Sequence, residues 1–130
     1  MGGSLNIAIN RQFVFIGAVN GFLAVAFGAF GAHGLKEHLT SADLAIYETG
    51  AHYHLTHAIA LLAVGLMPGA MKLIRAAGWL FTAGIVLFSG SLYLLAITGV
   101  RILGAVTPLG GLAFLGGWLC LAAGTLKAEQ

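Results

Sequence analysis

Between Arg11 and Lys36 the chain carries no charge, and positions 12 to 32 are almost wholly apolar, running FVFIGAVNGFLAVAFGAFGA from Phe13 onward. At 1.5 Å of rise per residue, 21 helical positions reach roughly 32 Å, enough for a hydrocarbon core of about 30 Å. Three further uncharged stretches follow, and the pattern predicts four transmembrane helices over about 12–33, 52–70, 76–98 and 102–126, in one domain spanning 1–130. The polar breaks Pro68 to Arg75 and Thr98 to Arg101 are brief, so consecutive helices must be antiparallel neighbours. Only the connection from His33 to about Ala51 is long, and it holds Glu37, Asp43 and Glu48. Within it, Thr40-Ser41-Ala42-Asp43 has the form of a capping box, which predicts a helix starting at Ser41. Leu44, Tyr47, Ala51, Leu55 and Ala58 recur at helical spacing, so this piece is expected to lie along the interface and then to bend, at Gly50, or run on into the second span. The fold class expected is all-α: an integral membrane four-helix antiparallel bundle with a short interfacial helix between helices one and two.

Composition sharpens this picture. Of 130 residues, 59% are hydrophobic, 20 are glycine and only ten are charged, six basic and four acidic. A soluble chain carries roughly 25% charged residues, so the solvent for most of this surface must be lipid. The net charge of +2 comes from basic residues scattered singly, which excludes a phosphate-tracking stripe and with it a nucleic-acid partner. The single cysteine, Cys120, sits in an apolar run and offers neither a disulfide framework nor a zinc spacing. Arg11 and Ala24-Val25-Ala26 imitate a signal peptide, but the apolar run continues to Ala32, long enough to span. The start MGGSLN has Asn6 where a myristoylation signal wants Ser or Thr. Glycine reads as close helix packing, with Gly17-xxx-Gly21 and the Gly28 to Ala32 run on the first helix, Ser89-Gly90-Ser91 on the third, and Gly110-Gly111 to Gly116-Gly117 on the fourth. Arg11, Lys72, Arg75 and Lys127 fall on one side and Lys36 and Arg101 on the other, so both termini are expected to be cytoplasmic.

Catalytic signatures are missing: no GxSxG elbow, no HExxH and no paired carboxylates within a span. No Asp or Glu lies within a span, which counts against proton-coupled export. Histidine remains, as His33, His38, His52, His54 and His57, all near the outer boundary in this orientation. An outer-half polar cluster of His33, Tyr53, His57, Ser89, Ser91, Tyr93 and Thr107 is the candidate site. It would serve as a transition-metal site using His33, His54 and His57, or as a haem seat between His33 and His57. The favoured alternative is that these groups hydrogen-bond across helices or to headgroups, so no catalytic residue, cofactor or metal ligand is assigned. Glu48 and His52, four apart, read as an interfacial ion pair. Asn20, near the middle of the first span, must turn into the bundle or toward another protomer. Trp79 and Trp118 read as interfacial or packing aromatics, and Thr107-Pro108 as a kink or start of helix four.

The strings GAFGAHGL at 28–35, YETGAHYHLTHAIALL at 47–62, LFSGSLYLLAITG at 87–99 and TPLGGLAFLGGW at 107–118 resemble the YgdD-like family of small bacterial inner-membrane proteins, a domain of unknown function with mitochondrial relatives in eukaryotes. The likeness runs from about residue 12 to 126. It implies a four-helix protein of the bacterial cytoplasmic membrane and supplies no activity, substrate or catalytic residue; His33 and His57 fall in its strings, whereas His52 and His54 are less typical. The leading expectation is a non-enzymatic component that acts in the lipid bilayer by association, as a homo-oligomer or in a larger membrane complex. Two alternatives stand beside it: an oligomeric small-solute channel or transporter with Asn20 and the outer hydroxyls along its path, and a haem- or metal-binding subunit using His33 and His57.

Overall fold

The structure, a computed structural model, describes residues 9–68 and 71–127. The start MGGSLN and the last two positions of the second expected span, 69 and 70, lie outside the described residues. The described residues form four long helices and no strand. The first runs Arg11–Leu35, α-helical to Phe30 and ending in a π-helical turn, Gly31–Leu35. The second is Ser41–Leu66. The third, Lys72–Thr98, contains a π-helical turn at Ile85–Ser89, and the fourth, Arg101–Lys127, opens in a 3₁₀ turn at Arg101–Ala105. The first, third and fourth are long and apolar enough to cross a membrane. At 26 residues the second has the length, but Glu48, His52, Tyr53, His54 and His57 lower its hydropathy, and it is not among them.

The helix ends follow local chemistry. The Thr40 hydroxyl accepts the Asp43 N–H at 3.1 Å, so the second helix begins at Ser41 as the capping pattern predicts. The third stops because Gly99 adopts a left-handed backbone, φ +72°, and its N–H bonds the Leu95 carbonyl at 2.8 Å. The α-helical part of the fourth starts at Thr107, with Pro108 in its first turn, where a missing N–H costs nothing.

Two expectations need correction. The piece from Ser41 is no separate interfacial helix: it runs on into the second span, as the other expected form has it, in one unbroken helix through Gly50 to Leu66. Gly50 is buried rather than bent: a Cβ there would meet Leu92 Cβ at 3.2 Å, and its carbonyl accepts the Ser89 hydroxyl at 2.8 Å. Of the positions that recur at helical spacing, Tyr47 and Ala58 are buried and Leu55 is exposed; Gly50, His54, His57, Ala60, Leu61, Val64 and Gly65 complete the buried face.

Consecutive helices run antiparallel. Asn10 N–H bonds the Gly65 carbonyl, a Cβ on Gly17 would lie 2.9 Å from the Ala58 carbonyl oxygen, and Tyr47 reaches Phe27. Similarly, Gly50 pairs with Ser89, His57 with Phe81, Gly84 with Phe114 and Gly124 with Ile74. The core is built from rings seated on glycine: Phe13 against Gly78, Phe114 against Gly84 and Phe81 against Gly117. Every seventh residue of the fourth helix, Gly110, Gly117 and Gly124, is buried in this seam. Large side chains such as Phe22, 72% exposed, and Leu119, 71% exposed, point outward instead. That is the arrangement expected where lipid removes any penalty on apolar exposure and helices associate by close packing and hydrogen bonds. The glycine expectation holds only in part on the first helix, since a Cβ added at Gly21 or Gly28 would meet nothing within 4 Å.

Candidate functional site

The predicted outer polar cluster separates into distinct groups. The first joins three helices. Asn20 donates its amide to the Ile16 carbonyl, 2.9 Å, which leaves its Oδ1 facing His54 Nε2 at 3.0 Å. His54 Nδ1 lies 2.9 Å from the Tyr93 hydroxyl. An amide oxygen only accepts, so His54 donates from Nε2 and accepts the Tyr93 O–H at Nδ1. Helical placement accounts for the meeting: Asn20 occupies the inner face of the first helix, His54 the buried stripe of the second, and Tyr93 follows the π-helical turn of the third. Phe27 and Tyr47 close around the group, with the Phe27 and Tyr93 rings 5.2 Å apart and the Tyr47 hydroxyl donating to the Phe27 carbonyl at 2.6 Å.

The second group centres on His57. Its Nδ1 is 2.7 Å from the Tyr53 carbonyl, and its Nε2 is 3.0 Å from the Trp118 indole nitrogen. A carbonyl only accepts and an indole N–H only donates, so His57 is neutral with the proton on Nδ1. Its ring stacks on Phe114, centroids 3.6 Å apart and planes 9° apart. Neither nitrogen keeps a free lone pair, so a metal or haem iron would have to break one of these bonds. The third group is Ser91, whose hydroxyl lies 2.6 Å from that of Thr107 and also donates to the Phe88 carbonyl. Ser89 bonds Gly50 separately, as described above.

His33 joins none of these groups. It is exposed on the π-helical turn that ends the first helix, and the described residues contain no group of three or more metal-ligating side chains. Tyr53 contributes its carbonyl to His57, while its ring lies on the surface. The sequence reading takes His54 only as a ligand of the three-histidine metal alternative and Trp118 as an interfacial or packing aromatic, yet these two complete the interior network. The signal for them is present: Tyr47, Gly50, His54, His57 and Leu61 repeat at three and four residues, and an indole N–H kept from water needs an acceptor.

Every buried side-chain nitrogen and oxygen among the described residues has a hydrogen-bond partner. Such closure fits polar groups that hold helices together. Comparison with known proteins agrees with a membrane setting. Residues 27–111 match the family described as Protein of unknown function (DUF423). A UPF0382 membrane protein of Staphylococcus saprophyticus is 47% identical over 118 residues, covering 90% of this chain and 98% of the relative. One from Staphylococcus epidermidis is 50% identical over 118 residues, covering 90% and 97%. The UPF0382 membrane protein YwdK of Bacillus subtilis is 46% identical over 120 residues, covering 90% and 98%. No solved structure matches the chain. Near-complete coverage at this identity, with the family match across the second and third helices, establishes that the chain belongs to the DUF423 family of small bacterial membrane proteins of unknown function.

Proposed function

We propose that this is a non-enzymatic integral protein of the bacterial cytoplasmic membrane. It is a four-helix antiparallel bundle with both termini cytoplasmic, and it acts by lateral association with itself or with a larger membrane complex. The observation that carries the reading is how its polar groups are spent: those reaching the interior bond each other or the backbone, and the lateral surface is apolar. The second helix crosses with the others. Its low hydropathy comes partly from Tyr47, His54 and His57, which turn inward and are bonded, while Ile59 and Leu66 face out. The exposed Thr49 and Thr56 bond carbonyls of their own helix. At roughly 39 Å this helix exceeds the hydrocarbon thickness, so its first turns, with Asp43 and Glu48, stand at the outer interface.

The antiparallel register gathers Arg11, Lys72, Arg75 and Lys127 at one end and Lys36 and Arg101 at the other, which supports cytoplasmic termini. The same inventory counts against the two alternatives. Asn20 spends its amide inside its own chain rather than along a path between copies, and His57 has no lone pair for iron. Reporter fusions at both termini test orientation: fluorescent-protein fusions should be bright and alkaline phosphatase fusions silent, and active phosphatase would reverse the placement. Purification in mild detergent should yield an oligomer or a companion protein. A lone monomer would contradict the association.

A further inference from the structure

The third helix opens on a face that joins charge to an aromatic ring. Lys72, Arg75 and Trp79, at i, i+3 and i+7, lie on one side of it and are all exposed, the indole at 48%. The Trp79 ring meets Phe13 edge-on, centroids 5.1 Å apart, so this face lies beside the first helix. At 27 residues the third helix is roughly 40 Å long, about 10 Å more than a hydrocarbon core. Given the membrane placement proposed above, on which this inference rests, Lys72 and Arg75 stand among headgroups, and Trp79, roughly 10 Å inward of Lys72, stands where the acyl chains begin. Other cations are near. Lys127 lies one turn past Gly124, whose added Cβ would meet Leu73 Cβ at 3.2 Å, and Arg11 lies two residues before Phe13, whose ring covers Gly78. Among the described residues no acidic side chain stands at this end: Glu37, Asp43 and Glu48 belong to the opposite one, and Glu129 lies outside the described residues.

A partner that matches the whole face must be anionic at the level of Lys72 and Arg75 and apolar one turn deeper, beside Trp79. We propose that this face holds an anionic phospholipid, its phosphate on Lys72 and Arg75 and an acyl chain along Trp79. A soluble phosphate or an acidic peptide matches the cations alone. A zwitterionic lipid matches the indole but brings its own cation to an end that already gathers four.

The test uses the full chain in phosphatidylcholine nanodiscs, with phosphatidylglycerol as the probe. The chain has two tryptophans, so Trp118→Phe leaves Trp79 as the reporter, read by quenching with phospholipids brominated on their acyl chains. Each Lys or Arg beside an anionic lipid is worth about fivefold in binding. Brominated phosphatidylglycerol should therefore quench Trp79 at roughly one-twentieth of the mole fraction that brominated phosphatidylcholine requires. Lys72→Gln and Arg75→Gln should each reduce this preference about fivefold, while Lys36→Gln and Arg101→Gln, at the opposite end, should leave it unchanged. Molar salt should remove most of it. Native mass spectrometry gives a reading that needs no tryptophan variant. Released from micelles holding equal amounts of the two lipids, the unmodified chain should retain phosphatidylglycerol, and Lys72→Gln with Arg75→Gln should end that selection. Equal quenching by the two brominated lipids, an unchanged preference in the double variant, or displacement of the lipid by millimolar inorganic phosphate would overturn the site. Loss of Trp79 quenching as the number of chains per disc rises would assign the face to a second copy and overturn it too. A chain that stays aqueous and enters no disc would overturn the membrane reading itself.

Discussion

Gly110→Ala is expected to destabilise the folded chain by about 3 kcal/mol, read from unfolding by sodium dodecyl sulfate in mixed micelles and followed by circular dichroism. Helix propensity alone favours alanine by about 1 kcal/mol. Sterics oppose it and win. The added Cβ would fall 2.7 Å from Phe88 Cα and closer still to the Phe88 nitrogen, and backbone cannot escape by changing rotamer. Overpacking of a tight core costs about 1–3 kcal/mol, sometimes more, and a contact with backbone belongs at the upper end because the third and fourth helices must separate. The matching control is Gly21→Ala, where a Cβ meets nothing within 4 Å. That variant should be unchanged or more stable by up to about 1 kcal/mol. Equal losses at the two positions would mean that the fourth helix does not approach Phe88 as closely as described.

His54→Phe carries the second large effect, with an expected loss of about 2–4 kcal/mol by the same measurement. Phenylalanine keeps a ring in place, so the loss reports polar groups rather than a cavity. Asn20 Oδ1 and the Tyr93 O–H both lose their partner, and each unsatisfied buried group costs about 1–3 kcal/mol. Individual hydrogen bonds between membrane helices average only about 0.6 kcal/mol, so the stranded partners, not the lost bonds, dominate. Combining His54→Phe with Asn20→Leu and Tyr93→Phe should then recover most of the stability, because replacing every member of a network by apolar groups is near neutral. No recovery in the triple variant would show that the network does more than satisfy itself.

Helix number, the start of the second helix, the end of the third and antiparallel order are legible in the sequence because they depend on local and one-dimensional signals, whereas the second helix stops at Leu66, short of the expected 70. The uncharged runs between Arg11, Lys36, Arg75 and Arg101 mark the elements, Thr40 and Asp43 mark a helix start, and Gly99 interrupts the chain where the third helix stops. The inner face of the second helix is not legible by the usual rule. In water an apolar stripe points to the core, yet of Leu44, Tyr47, Ala51, Leu55 and Ala58 only Tyr47 and Ala58 are buried. In lipid that contrast disappears, and what must turn inward is what hydrocarbon rejects or what permits close approach: His54, His57 and Gly50. The same shift explains the candidate cluster. Its members share a depth, and depth brings Ser91 to Thr107. Depth says nothing of rotation about a helix axis, so it groups His33 with residues that it does not touch, offers His54 only as a metal ligand beside His33, and gives Trp118 no hydrogen-bond partner.

Both large predictions depend on one claim, that lipid covers the outward-facing apolar side chains while the hydrogen-bonded polar groups and the rings seated on glycine face inward. Photolabelling of the unmodified chain with a diazirine-bearing phospholipid, mapped by mass spectrometry, tests it most directly. Label should concentrate on Phe22, Ile59, Val86 and Leu119, which are exposed on the four helices in turn, and should spare Phe13, Leu61 and Phe81, which are fully buried. Label on the second group at the level of the first, or an absence of label from Ile59 while the other three react, would contradict the account.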